Sequence, residues 1–251
     1  MRVVSMVPSW TETLIEAGVN VVGRTRFCIH PLEQISTIPA VGGTKDWNWE
    51  KILQLKPDLI ILDKEENPLM MAQQQEIPFI ATHVTSVMDM PKQLLYLSEH
   101  LKNSKLNELS QEWKVLLDKS VSKQNVNDLN IPALIKWGQK PDGSIKKIIY
   151  IIWKNPWMTV SADTFIGSVL SYSGLKELLP TYADKYPQID LDKIADKQST
   201  LLLFSSEPFP FIKKAEGLKE LGFPYAFVDG ESLSWFGLRS LRYLQFFTER
   251  M

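Results

Sequence analysis

The feature that most constrains this chain is the alternation of short apolar runs with helical patterns over its first third. Val3 to Val7 is a strand candidate, and Val21-Val22-Gly23 is a second. Leu59-Ile60-Ile61-Leu62 is apolar without a break, as expected of a parallel strand covered on both faces. Pro78-Phe79-Ile80-Ala81 completes a set of four. Between them lie helix signals. Ser9-x-x-Glu12 reads as a capping box with Gly18 at the helix end. Asn48 reads as the cap of a helix from Trp49 to Leu55, and Asn67 as the start of another. Strand and helix taken in turn specify a parallel sheet with helices on both sides.

The pattern then changes. From Ser86 to Lys119 there is no glycine, and Pro91 is the only proline, near the start. Leu94, Leu97, Leu101, Leu109, Trp113 and Leu116 recur at helical spacing, which predicts one long amphipathic helix. The alternation resumes after a polar stretch, Gln124 to Ser144, that reads as irregular connection. Strands are expected at Ile148–Trp153, Thr200–Phe204 and Tyr225–Val228. Helices are expected from the Asp163 cap to Gly174, over Phe211–Leu221 and over Leu238–Phe247. The expected fold is therefore α/β: two Rossmann-like lobes with parallel sheets, joined by one long backbone helix. The lobes would span 1–85 and 123–251, with the helix at 86–122 and an irregular entry segment at 123–145.

Composition removes several functions. With 28 basic and 29 acidic residues the formal charge is -1, which offers no global field for nucleic acid or an acidic membrane surface. No run approaches the roughly 20 apolar residues of a membrane span. A single cysteine, Cys28, excludes an internal disulfide. The apolar run at the start is too short for a secretory signal. The expected compartment is the cytoplasm for the chain as given, and the periplasm if a leader has been omitted. The expected state is a monomer.

In open parallel sheets, ligands bind beyond the carboxyl ends of the strands. In the first lobe that rule selects Ser9, the segment Phe27-Cys28-Ile29-His30, Glu65 with Glu66, and His83. In the second it selects Trp153 to Trp157, Glu207, Glu231 and Trp235, and the two loop sets are expected to face a shared cleft. Large rings at strand ends offer flat apolar faces to a bulky planar ligand, or else plug the sheet ends. Cys28 and His30 could ligate a metal, but no second close pair exists to close a structural site. The carboxylates could act in acid–base chemistry, cap helices or accept hydrogen bonds. Phosphate-loop, nucleophile-elbow, dinucleotide and zinc-protease signatures are missing, so no catalytic residue is assigned.

Several segments carry a family resemblance. Arg2-Val3-Val4-Ser5-Met6-Val7-Pro8-Ser9-Trp10-Thr11-Glu12, Val41-Gly42-Gly43-Thr44, Asn48-Trp49-Glu50-Lys51-Ile52 and Leu55-Lys56-Pro57-Asp58-Leu59-Ile60 resemble, in order and spacing, substrate-binding proteins of ABC importers that carry vitamin B12, haem or ferric siderophores. The resemblance continues through Trp157-Met158-Thr159-Val160 and Asp163-Thr164-Phe165-Ile166 to Ser234-Trp235-Phe236-Gly237-Leu238-Arg239. It implies a class III periplasmic-binding-protein-like fold and a transport receptor or carrier, not an enzyme. Its ligand would be a corrinoid, haem or ferric siderophore, with no intrinsic cofactor. The alternative is a cytoplasmic enzyme or ligand sensor that uses the cleft carboxylates and His30. The resemblance adds Phe27 and Tyr186 as cleft aromatics, Arg239 of its last motif as a further ligand-binding residue, and Glu50 and Asp192 as carboxylates that pair with a permease. Thr44 and Asp63 stand where tryptophans of the vitamin B12 receptor would be expected.

Overall fold

The computed structural model describes residues 1–73, 76–119, 131 and 133–249. The chain divides into two compact units. Met1–Asp118 with Phe236–Leu241 forms the first, and Lys119–Trp235 with Arg242–Met251 forms the second.

The first unit is built on four parallel strands, β1 (Val3–Ser5), β2 (Val21–Arg24), β3 (Leu59–Asp63) and β4 (Phe79–Thr82), in the order β2-β1-β3-β4. Every residue of β3 is buried, as its unbroken apolar run requires. Val4, Met6, Ile52, Ile60 and Leu62 form one apolar core with Val41, Met71 and Ile77. Helices α1 (Pro8–Glu16), α2 (Leu32–Ile35), α3 (Trp49–Gln54) and α4 (Met70–Gln73) are carried by the connections.

Two cap expectations hold. Asn48 accepts the Lys51 N–H at 2.9 Å, and Gly18, at φ 77°, follows α1. Two others do not. Helix α1 starts at Pro8 with Val7 as its cap residue and no side-chain cap, because Pro8 at the first position leaves Ser9 already inside the helix. Asn67 opens no helix. Its amide bonds instead to the Asp63 N–H and to the Met6 and Thr44 carbonyls, and α4 begins three residues later.

The single helix expected over 86–122 is two helices, α5 (Met90–Leu101) and α6 (Ser104–Leu117), and both belong to the first unit. Lys102 adopts φ 50°, ψ 48°, a left-handed residue that ends α5. Asn103 then caps α6 by accepting the Leu106 N–H at 3.1 Å. Ser110 Oγ reaches back to the Pro91 carbonyl at 2.7 Å, so α6 folds back along α5. The break needs neither glycine nor proline. The expected end of the helix at 120–122 lies outside the described residues.

In the second unit, β6 (Lys147–Trp153), β8 (Thr200–Ser205) and β9 (Tyr225–Val228) are parallel. Antiparallel strands β5 (Leu134–Gln139) and β7 (Met158–Thr159) close the edges, in the order β5-β9-β8-β6-β7. Strand β5 falls within the segment expected to be irregular. None of its residues is fully buried, as at a sheet edge, and Lys136 and Gly138 interrupt its apolar residues, so it carries no continuous apolar run. The part of that segment at 123–130, with residue 132, lies outside the described residues.

Helix α7 (Phe165–Leu170) is capped by Thr164, which accepts the Gly167 N–H at 3.1 Å, and not by Asp163. No helix forms over Phe211–Leu221. The Lys213 and Lys214 amides turn back to the Pro210 carbonyl, and Gly217 at φ 76° precedes a short 3-10 turn, Lys219–Leu221. Phe211 and Leu218 are nonetheless buried, seven positions apart, which is why the spacing imitated a helix face. Helices α8 (Gly230–Ser234) and α9 (Leu238–Glu249) complete the chain.

Candidate functional site

Each unit carries a carboxylate at the carboxyl end of a central strand. In the first unit it is Asp63, the last residue of β3 and wholly buried. Its Oδ1 accepts the Glu65 N–H at 2.9 Å, and its Oδ2 accepts the Thr82 hydroxyl at 2.6 Å and the Val84 N–H at 3.2 Å. The Trp10 indole N–H donates to Thr82 Oγ1 at 2.7 Å, so a buried ring of α1 steadies the same knot. Burial pushes the Asp63 carboxyl above its ordinary value, while those hydrogen bonds hold it down. The knot fixes the loop that carries Glu65 and Glu66. Glu65 bonds to the His83 imidazole at 2.9 Å. Glu66 is raised by burial and then by the nearby Asp63 charge, against Lys45.

The other expected residues of this unit divide sharply. Phe27 is 49% exposed with the Arg26 guanidinium 4.8 Å from its ring centre. His30 is half-buried. Cys28 turns inward, 1% exposed, with its Sγ 3.1 Å from both Thr11 Oγ1 and Thr25 Oγ1, and burial raises its thiol. Ser9 is buried in α1. Arg239 forms a two-pronged ion pair with Glu12, at 2.8 and 2.7 Å, between α9 and α1. Beside it the Leu238 N–H donates to Thr13 Oγ1 at 3.0 Å, and Gly237, at φ 89°, is so close that a Cβ would strike that hydroxyl. Glu12 is therefore a partner for Arg239 and not the second half of a capping box. No group of three or more His, Cys, Asp or Glu able to hold a metal occurs among the described residues.

In the second unit the carboxylate is Glu207, just beyond β8. Its Oε1 accepts the Trp235 indole N–H at 2.9 Å and the Ser234 hydroxyl at 3.2 Å. Burial, followed by the charge of Glu231, pushes it up to about 7. Glu231 lies in the first turn of α8, which Asp229 caps by accepting the Glu231 N–H. Under this layer the Tyr150 hydroxyl donates to Ser205 Oγ at 3.0 Å, and Gly230 packs so tightly on Ser205 and Glu207 that a Cβ would collide with both.

Aromatic rings surround the β6–β7 hairpin. Trp153 is 40% exposed and meets Phe209 edge-on at 5.5 Å. Phe209 packs on Phe211 at 4.5 Å, and Trp157 stacks on Phe211 at 6.2 Å. Main-chain bonds from Thr159 to Pro187 and from Ile189 to Trp157 hold the neighbouring loop against β7, and Tyr186 on that loop is 45% exposed. Trp235 is only 8% exposed.

Thus Trp153 and the Glu207–Trp235 pair stand at the carboxyl ends of β6 and β8 and Tyr186 lies on the loop beside β7, whereas Ser9, Cys28 and Arg239 are engaged inside the first unit. The Asp63–Thr82–Trp10 knot was not read from the sequence. An acidic residue ending an apolar strand, with Asn four residues on, was a usable signal for it.

This is the architecture of a class III periplasmic-binding-protein-like molecule, with one parallel sheet, one sheet whose parallel centre has antiparallel edges in place of the wholly parallel sheet expected, and side chains placed at the carboxyl ends of the parallel strands. Residues 3–118 match the model of the family described as periplasmic binding protein. The chain is 22% identical over 212 residues to a vitamin B12-binding protein of Pectobacterium carotovorum subsp. carotovorum (strain PC1), covering 82% of this chain and 72% of that protein. Among solved structures it is similar to the periplasmic vitamin B12 binding protein of Vibrio cholerae, with a TM-score of 0.72, 17% identity, and coverage of 99% and 95% of the two chains. It is also similar to a periplasmic heme binding protein from Pseudomonas aeruginosa, with a TM-score of 0.73, 18% identity, and coverage of 99% and 91%. These relatives are named as binding proteins. No helix among the described residues is long and apolar enough to cross a membrane.

Proposed function

We propose that this protein is a transport receptor for a metal-bearing planar or near-planar complex, of the corrinoid, haem or ferric-chelate kind. The observation that carries the reading is the exposure of large rings in each unit, Phe27 at 49% in the first, and Trp153 at 40% and Tyr186 at 45% in the second. Exposed rings keep an unfavourable contact with water that a flat apolar ligand removes. Glu65, Glu66 and His30 in the first unit, and Glu207 and Glu231 in the second, are further polar groups on the loops of their own units. Transport is favoured over catalysis because the similar proteins are named for binding.

Its partner is an ABC permease. Glu50, in the first turn of α3, is exposed, and the Asp192 side chain is 92% exposed on the turn Leu191–Lys193. Carboxylates placed in this way set encounter rate and orientation with a basic surface. The family's periplasmic setting favours work outside the cytoplasm.

The test is a spectroscopic titration of the purified chain with hydroxocobalamin, haemin and a ferric hydroxamate. One of the three should bind saturably with a Kd of about 1 μM or lower. Flat curves for all three would overturn the reading.

A further inference from the structure

Strand β4 lies at the edge of the first sheet, paired with β3 on one side only. In a parallel ladder alternate residues bond to each side. The Ile60 N–H takes the Pro78 carbonyl and the Lys64 N–H takes the Thr82 carbonyl, so Pro78, Ile80 and Thr82 face β3. Phe79, Ala81 and His83 therefore direct their main-chain groups outward. The His83 N–H reaches Gln93 Oε1 at 3.4 Å, whereas the outward groups of Phe79 and Ala81 meet no described residue.

Two cavities flank this short edge, and both are lined by Ala81 and Lys64. The one on the α4 side, about 390 Å³, is apolar, with Leu62, Pro68, Leu69 and Phe79 in its wall. The one on the α5 side, about 400 Å³, is mixed, with Lys92, Gln93 and Tyr96 in its wall. The carboxylates near the second are engaged. Asp89 accepts the Thr85 N–H, the Thr85 hydroxyl and the Ser86 N–H, and Glu65 holds His83. Neither Lys64 nor Lys92 has a described partner for its ammonium group.

We propose that this edge docks an extended segment of a partner protein in which an apolar residue is followed by an acidic one. An added strand would take the free main-chain groups of Phe79 and Ala81. Consecutive side chains of a strand point to opposite faces, so neighbours in that segment would enter the two cavities in turn. The apolar residue fills the Leu62–Phe79 cavity, and the carboxylate meets Lys64 and Lys92. The same two lysines would repel each other across a self-paired edge, which selects against a second copy of this chain.

The probe is a labelled five-residue peptide alternating Leu and Glu, followed by fluorescence anisotropy with the full chain. Saturable binding is expected. N-methylation of the amides on one edge of the peptide should weaken it about tenfold, the size of losing one or two main-chain hydrogen bonds, while N-methylation on the opposite edge should not. Ala81→Pro removes the outward N–H and leaves the ladder to β3 intact, so it should match that loss with an unchanged circular dichroism spectrum. The double variant K64E/K92E should weaken the Leu-Glu peptide and favour one alternating Leu and Lys. No saturation, equal binding of both N-methylated peptides, or self-association of the chain through this edge would overturn the proposal. A failure here leaves the ligand titration untouched, because none of these groups is a proposed ligand contact.

Discussion

Asp63 and Glu207 stand at comparable places, each just at or past the carboxyl end of a strand in the middle of its sheet, yet they do opposite work. Asp63 bonds to two main-chain N–H groups and a buried hydroxyl nearby, so it locks its own turn. Glu207 bonds to two side chains 27 and 28 positions away, so it ties one strand-end loop to another. Both are raised by burial, but Glu207 also feels Glu231, and its value of about 7 lies where a physiological change of pH alters its charge. The first unit thus invests its buried polar groups in rigidity, whereas the second leaves one titratable contact beside its exposed rings.

The largest effect that probes this contrast should come from the first unit's other buried charge. Replacing Arg239 by alanine strands the Glu12 carboxylate, which is 7% exposed. A broken pair of this kind costs about 3–5 kcal/mol. Denaturant unfolding should show that loss in R239A. A stable R239A that fails to bind ligand would instead make Arg239 a ligand contact. Asp63→Ala should come next. It leaves the Glu65 and Val84 amides and the Thr82 hydroxyl without their acceptor, at about 2–3 kcal/mol. Asp63→Asn should cost less, since it keeps an acceptor.

Glu207 should act through pH. Its carboxyl holds its proton more tightly when folded, at about 7, than at its ordinary 4.5. The folded state therefore binds more protons between those values, and stability declines as pH climbs from about 4.5 through about 7. The full span amounts to up to about 3 kcal/mol, at 1.36 kcal/mol per pH unit. Unfolding midpoints at pH 5 and pH 8 should differ in the wild type, and the difference should shrink in E207Q. Equal pH dependence in both would assign the titration to other groups and erase the contrast with Asp63.

How much of this was readable beforehand follows from range. Elements held by local signals appear where expected: the buried run of β3, the Asn48 cap, and the strands at 147–153, 200–205 and 225–228. Features decided by distant partners do not. Glu12 looked like a capping-box residue because its partner, Arg239, is 227 positions away. Cys28 looked like a ligand because nothing local says that Thr11 and Thr25 enclose it. The break at Lys102 was legible in principle from Asn103, a strong cap residue, although the apolar spacing runs on past it. Glu207 and Trp235 were both chosen as site residues from their loops alone. That they touch was beyond any local rule.

The smallest effects should lie on the surface, and they separate holding a ligand from delivering it. Trp153→Ala removes a 40%-exposed ring that contacts Phe209 at the rim of the second unit, so stability should change little. Ligand affinity should fall about tenfold, the order of one aromatic contact. Glu50→Lys and Asp192→Lys should leave both stability and ligand affinity unaltered, because one side chain is exposed in the first turn of α3 and the other is 92% exposed with a single long contact to Lys197 at 3.7 Å. Their effect should appear only in transport with the cognate permease, as a slower association that added salt diminishes, since charges at a rim act mainly on encounter. If W153A instead unfolds the second unit, its ring is a plug of the sheet end. If the charge reversals leave transport unchanged, the partner reads some other face.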